Sequence, residues 1–387
     1  NMNNCQSDVI KLIKSALSGG AQELSPDINL DKISDIAKNH GICSVIYYGA
    51  LICGISAENP AMEALFTHTC NYAARNAAQE YEISALLKEF DKNEIEYMPL
   101  KGCVIKALYP KPEMRVMSDA DILIKPYQYD EIKSIMIGLG FNESGVSDHE
   151  LKWNKTGLLV ELHNKLIPSY NKDYFAYYGD GWQLAAQCDG TRYSMSDDDQ
   201  MVYLFTHFAK HYRDAGIGLK HIIDLWVFKK SKPLNEKYIY AELKKLKLYD
   251  FYINIFETLE VWFENKQSTE MSDFITDYIF DCGAAGNKEN YYISDILKNS
   301  EFSDVSHNGK LKMFIYYLFF PYEKMCMKYP VLIKHRCLLP LMWIVRALSA
   351  LFNRKSYGDI TGISQDKISN RQQGLNYVGL RFDFKEQ

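Results

Sequence analysis

The chain has 387 residues, of which 47% are hydrophobic and 24% charged, with a formal net charge of −5. That apolar content supports a sizeable core spread over more than one domain, and the mild acidity argues against both a disordered chain and a strongly basic nucleic-acid binder. The nine cysteines contain no C-x-x-C pair, which excludes a zinc knuckle or a thioredoxin-type motif, and their odd number reads as reduced thiols in a cytoplasmic setting.

No basic segment followed by an apolar run opens the chain, so no secretory leader is expected. "DVIKLIKSALSGG" repeats apolar residues at i, i+3 and i+4 and stops at Gly19 and Gly20. A second helix is expected over 29–40, and a long one from Pro60 to about Lys92, free of internal Gly and Pro. The period then changes. "IEYMPLKG" (Ile95–Gly102) reads as a short strand ending in a glycine turn, and "CVIKALYP" as a two-turn helix stopped by Pro110. "DADILIK" is a strand, and "PYQYDEIKSIMIGLGF" a helix with Pro126 near its start. "ELKWNKTGLLVELHNKL" predicts a hairpin, with one strand to about Trp153, a turn over Asn154–Gly157, and a second strand from Leu158 to about His163. A β-α-β-α-β-β unit thus occupies 95–165.

From Asp197 the pattern is helical again. One helix ends at Gly216, and others are expected over 218–230, 235–264, 270–281, 308–330 and 338–353. The apolar stretch Cys337–Phe352 is too short to span a bilayer and holds Arg346, so it reads as a buried or interface helix ahead of a membrane-surface one. The glycine-rich run Cys282–Tyr291 follows no strand and lacks G-K-[ST], so it reads as a loop. The tail from about Lys355 is polar and reads as loosely ordered. The expected organisation is a helical region over 1–93, an α/β core over 94–195, a second helical region over 196–354 and the tail over 355–387.

One stretch stands out chemically. In "MRVMSDADILIK" (Met114–Lys125) two aspartates enter a strand that is otherwise apolar. Desolvating a carboxylate is costly unless it is paired or binds metal. Residues i and i+2 of a strand share a face, so Asp119 and Asp121 can aim at one point. Two hard oxygen ligands at that spacing suit Mg²⁺ (or Mn²⁺) with phosphate oxygens completing its shell. Glu161, on the second hairpin strand, offers a third acid if that strand lies beside the first. Upstream, Gly102 at a strand-to-helix turn lets backbone N–H groups approach phosphates, and Lys101 and Arg115 add cationic donors. His163 shares the face of Glu161. His207 and His211 stand one helical turn apart, but Phe208 occupies the glutamate position of H-E-x-x-H, so they are candidates for a substrate cleft with Lys210 and Arg213, not for zinc. Asp224 is an acid in an apolar helix, expected to pair with Lys220 or His221 or to face the cleft.

"LKG", "R-x-M-x-D-A-D-I-L-I" and "V-E-L-H" together resemble bacterial nucleotidyltransferase-like proteins with a polymerase-β-type core. "FFPYEKM" and "YPVLIKHRCLLPLMWIVR" resemble the C-terminal helical region of the same family, so the likeness runs over roughly 30–350. It implies an α+β fold, with a small mixed-sheet palm embedded between N-terminal and C-terminal helical regions. It also implies transfer of a nucleoside monophosphate from an NTP. Carried over, Asp119, Asp121 and Glu161 would be metal-binding and catalytic, and Gly102 the phosphate-turn glycine; Lys101, Arg115 and Ser118 are expected to bind the nucleotide beside it. The chain departs from the wider superfamily at Cys103, where Gly or Ser usually follows the turn glycine, and in a longer spacing to Asp119 that implies a loop around 110–118. The net charge of −5 favours a small-molecule or sugar acceptor over a long nucleic acid. Two other readings stand beside this one: a D-x-D glycosyltransferase using a nucleotide-sugar, and a non-catalytic interaction protein of the same fold.

Overall fold

The structure is a computed structural model that describes residues 2–169, 171–284, 286–298, 331–352 and 364–381, with a few positions between 319 and 330. Four helices lead into the sheet: α1 (Asn4–Ser18), α2 (Leu30–His40), α3 (Cys43–Ile52) and α4 (Pro60–Lys92). Their ends follow from local chemistry. Asn3 caps α1 in a reciprocal pair with Gln6, each side chain accepting the other's backbone N–H at 2.9 Å, and Gly19 ends the helix with φ +76°. Pro60 opens α4 behind an Asn59 cap.

The sheet elements are β1 (Tyr97–Pro99), α5 (Gly102–Ile105), β2 (Asp119–Ile124), α6 (Tyr129–Gly138), β3 (Asn142–Val146), β4 (Glu150–Lys155) and β5 (Leu158–His163). After α7 (Lys172–Tyr178) a second hairpin, β6 (Ala186–Asp189) and β7 (Arg192–Ser194), joins the same sheet. Its order is β3-β4-β5-β2-β1-β7-β6. Strand β2 runs antiparallel to β1 and parallel to β5, with Asp121 directly opposite Glu161. The mixed sheet among many helices is the expected α+β fold.

Period-two alternation decides which way each strand faces. Ala120, Ile122 and Ile124 of β2, Val160 and Leu162 of β5, and Leu151 and Trp153 of β4 pack with Leu86 and Phe90 of α4 and Ile132 and Met136 of α6. Leu123 belongs to the larger core on the other side. Asp119, Asp121, Glu161, His163, Glu150 and Lys152 therefore point away from the α4–α6 layer, toward the C-terminal helices.

Those helices are α8 (Asp197–Asp214), α9 (Leu219–Ser231), α10 (Glu236–Lys245), α11 (Tyr249–Phe263), α12 (Glu270–Cys282) and α13 (Lys288–Lys298), followed by α14 (Val331–Lys334), α15 (Leu339–Phe352) and α16 (Gln365–Tyr377). Among the described residues, no helix is long and apolar enough to cross a membrane.

Several expectations need correction. The single helix over 235–264 is two, broken at Leu246–Leu248 where Lys247 has φ +55°. The first hairpin turns over Thr156–Gly157 alone, both with positive φ, so its first strand continues past Trp153 to Lys155. Strand β3 and the β6–β7 hairpin were not expected, because β3 reads "NESGV" and β6 is exposed throughout, leaving no apolar alternation to detect. The helix after Gly102 is one turn, continued by a 3₁₀ turn over Lys106–Leu108. The tail is not loose over 365–377: α16 forms, and Leu375, Val378 and Leu380 join the main core. Most of the helix expected over 308–330 lies outside the described residues.

Candidate functional site

A cavity of about 460 Å³ opens between the polar face of the sheet and helices α8 and α9, a size ordinary for small-ligand sites. Lys101, Gly102, Arg115, Ser118, Asp119, Asp121 and Glu161 line the sheet side, and His207, Lys210 and His211 the helical side. Of the site candidates read from the sequence, His163 and Arg213 are the two outside this lining, and His163 bonds Asp121, which belongs to it.

Asp121 is buried and doubly held. Lys101 Nζ donates to its Oδ1 at 2.7 Å, and His163 Nε2 bonds to the same oxygen at 2.8 Å. Burial alone would raise its pKa, but the Lys101 charge and the His163 hydrogen bond outweigh that and hold the carboxyl far below the usual range. Oδ2 makes no hydrogen bond among the described residues. Burial works against the charge on Lys101 as well, but the carboxylate outweighs it and raises its pKa. Lys101 carries a left-handed backbone at φ +44°, rare for a side chain of this kind. Lys101 is therefore the partner of Asp121, not a free phosphate donor.

Glu161 is buried and accepts from Lys152 Nζ at 2.6 Å; its other oxygen lies 3.8 Å from His163. Asp121, Glu161 and His163 bring three ligand atoms within 4.8 Å of one another. Asp119 is not in that set; it is more exposed and accepts from Ser118 Oγ at 2.9 Å. A second group, His149, Glu150 and His163, extends the polar face over β4. Glu150 bonds Lys152 at 2.9 Å and His149 at 3.3 Å.

The donor set fits a divalent cation. Asp119, the unbonded Oδ2 of Asp121 and Glu161 are hard oxygens suited to Mg²⁺. His163 meets these acids through Nε2, a nitrogen of the kind Mn²⁺ accepts, whereas its buried Nδ1 has no hydrogen-bond partner among the described residues.

Arg115 departs from expectation. Its Nε donates to both Asp224 oxygens, at 2.7 and 2.9 Å, and its Nη1 to the Val116 carbonyl at 2.6 Å. Tyr109 adds a third hydrogen bond to Asp224 at 2.7 Å. The guanidinium charge is committed to that buried carboxylate. Its Nη2 lies 3.8 Å from where a Cβ on Gly102 would stand, so the group backs the Gly102 turn instead of offering an open fork. Arg213 also turns away from the cavity and pairs with Asp173 at 2.8 Å. Cys103 fills its position as a thiol: burial, then the Asp121 charge, push its pKa up to about 12.

The helical wall is crowded with basic groups. His207 and His211 meet Nε2 to Nε2 at 3.1 Å. Burial, then Lys101, holds His207 well below the usual histidine range, and burial with Lys210 takes His211 down to about 3. Lys220 and His221 from α9 and His149 from just before β4 also line the cavity. His149 and Glu150 escaped the sequence reading, although the hairpin carried the signal. Pairing Lys155 with Leu158 puts Lys152 opposite Glu161 and Glu150 opposite His163.

A family model described as an uncharacterised nucleotidyltransferase matches residues 26–264. The chain belongs to this nucleotidyltransferase family. The match spans every residue of the cavity except Ala284 and supports a nucleotidyltransferase-like function. It stops short of the C-terminal segments whose likeness to the family the sequence suggested. No curated protein and no solved structure gives a match.

Proposed function

We propose that the chain transfers a nucleoside monophosphate from an NTP to an acceptor hydroxyl, using a divalent cation at Asp119, Asp121 and Glu161. The observation that carries this reading is the parallel pairing of β2 with β5. It sets Glu161 directly beside Asp121, with Asp119 two residues along the same face, over a cavity whose helical wall carries Lys210 and Lys220. A cation bound there would neutralise phosphate oxygens and polarise the α-phosphorus. Gly102, which carries no side chain and lines the cavity, lets the triphosphate approach the backbone of the turn closely. Lys101 and His163 keep Asp121 ionised and aimed, and Asp224 and Tyr109 fix Arg115 behind the turn.

The acceptor oxygen attacks the α-phosphorus. An O–P bond forms, the bond to the β-phosphate breaks, and pyrophosphate leaves. The hydroxyl proton passes to a carboxylate of the sheet, for which Glu161 is the nearest to Asp121 across the strands. Family membership favours this reading over nucleotide-sugar chemistry. Calorimetric titration of the four NTPs, with and without Mg²⁺, into the wild type and Asp121→Asn tests it. Metal-dependent binding of one NTP that is lost in the variant is expected. Binding without metal dependence, or binding the variant retains, overturns it.

A further inference from the structure

Helix α15 (Leu339–Phe352) is anchored by one face. Trp343 Nε1 donates to the Phe320 carbonyl at 2.9 Å, the Phe319 ring stands edge-on to Trp343 at 5.4 Å, and the Arg346 guanidinium lies 4.0 Å over the Phe320 ring. With 3.6 residues to a turn, these anchors leave Leu341, Ile344, Val345 and Leu348 on another side of the helix, spaced i, i+3, i+4 and i+7. They are 50%, 57%, 38% and 52% exposed. The usual arrangement of a surface helix is therefore inverted: the side turned to solvent is the apolar one.

Single exposed apolar residues are ordinary, whereas a contiguous stripe marks an interaction surface. No other described helix exposes more than two large apolar side chains, and none of the described α15 residues joins either core.

The local charge favours one kind of partner. Between Glu323 and Asp359 the chain has seven Lys or Arg residues and no Asp or Glu, although its net charge is −5. Arg336, in the turn that leads into α15, is exposed. An apolar helix face within so basic a stretch suits an anionic lipid surface, where apolar side chains enter the headgroup boundary and cations gain from the negative surface potential. A second copy of the chain fits less well, because a two-fold contact through this face would set one basic stretch against another. Fourteen residues of helix measure ~21 Å against a hydrocarbon layer of ~30 Å, so α15 would lie in the plane of the surface.

We propose that α15 docks the chain on an anionic membrane surface, with Leu341, Ile344, Val345 and Leu348 seated at the headgroup boundary. The docking goes beyond the transferase reading and stands without it.

Co-sedimentation of the full chain with lipid vesicles tests this. Vesicles of phosphatidylcholine and phosphatidylglycerol, in a three-to-one ratio, should bind the chain at least about tenfold more tightly than phosphatidylcholine alone, and added salt should weaken that binding. Ile344→Gln combined with Leu348→Gln should weaken it by about tenfold or more, and Arg336→Gln by about fivefold. Ile137→Gln, at an exposed apolar position on α6, should leave it unchanged. All these side chains are exposed, so the melting temperatures should match wild type and exclude unfolding as the cause. Failure to bind the mixed vesicles, binding that ignores phosphatidylglycerol, or binding that the double variant retains overturns the proposal. So does a dimer in vesicle-free solution that the double variant abolishes, since a second copy would then cover the face.

Discussion

Replacing Lys210 by Met should make the unliganded protein more stable. Lys210 lies in a largely enclosed wall with no carboxylate of its own among the described residues, and its pKa falls from the ordinary 10.5 to about 8. At about 1.36 kcal/mol for each pKa step, that fall of about 2.5 corresponds to roughly 3 kcal/mol of destabilisation by the charged form. Solvent at the cavity mouth screens part of it, so ~2–3 kcal/mol is the expected gain, because Met keeps the apolar stem and drops the charge. The sign follows from proton counts. Below pH 8 both folded and unfolded chains carry the proton and the penalty is complete. Between about 8 and 10.5 only the unfolded chain holds it, so wild-type stability rises relative to the variant, and the gap closes above 10.5. For a chain of this size each kcal/mol moves the melting temperature by ~1 °C. Thermal unfolding should therefore show the variant ~2–4 °C above wild type at pH 7, with the two curves converging near pH 10. A variant that melts at or below wild type, by an amount that does not change with pH, would refute the idea that Lys210 is an uncompensated cation.

Asp121→Asn strands the buried Lys101 and should cost about 3 kcal/mol in urea unfolding besides abolishing metal-dependent NTP binding; unchanged stability would mean the pair is not formed in solution. Asp224→Asn leaves the buried Arg115 without its carboxylate and should destabilise by about 3–5 kcal/mol, with NTP affinity falling as the Gly102 turn loses its backing. Its measured denaturation midpoint should drop well below that of a surface Asp→Asn control. Gly102→Ala would bring a Cβ to 3.0 Å from Met117 Sδ, a flexible neighbour, so stability should fall by only about 1 kcal/mol while tripolyphosphate binding weakens markedly; full binding in that variant would remove the turn from the site. Deleting residues 364–387 exposes the pocket filled by Leu375, Val378 and Leu380 and removes the Arg371 bonds to the Tyr212 and Arg213 carbonyls. At about 1.5–3 kcal/mol per buried side chain, a loss of ~5 kcal/mol or more should appear as a clear drop in melting temperature.

Much of the candidate site is legible in the order of residues alone. The D-x-D on an apolar strand, the glutamate on a following strand and the glycine after a preceding one are local patterns, and the period of two sends their side chains to one face whatever surrounds them. The i and i+4 spacing of His207 and His211 does the same for the helical wall. Even His149 and Glu150 are within reach, because a two-residue turn at Thr156–Gly157 sets the hairpin register outright.

Partner choice is not legible in the same way. Arg115 and Asp224 are 109 residues apart, and Lys101 reaches Asp121 only because β1 lies beside β2. In the sequence each basic residue near the acids looks equally free to meet phosphate. Folding commits Lys101, Arg115 and Lys152 to carboxylates and leaves Lys210 and Lys220 without one among the described residues. The polar strand β3 and the docking of α16 are hidden for a related reason: an edge strand needs hydrogen-bond partners more than apolar residues, and three apolar side chains in a polar tail matter only once a core is there to receive them. By itself, then, the sequence determined which side chains share a face, since that depends on backbone periodicity. The tertiary structure alone decided which charges cancel and which remain for a ligand, since that depends on distances between segments that only the packed chain brings together.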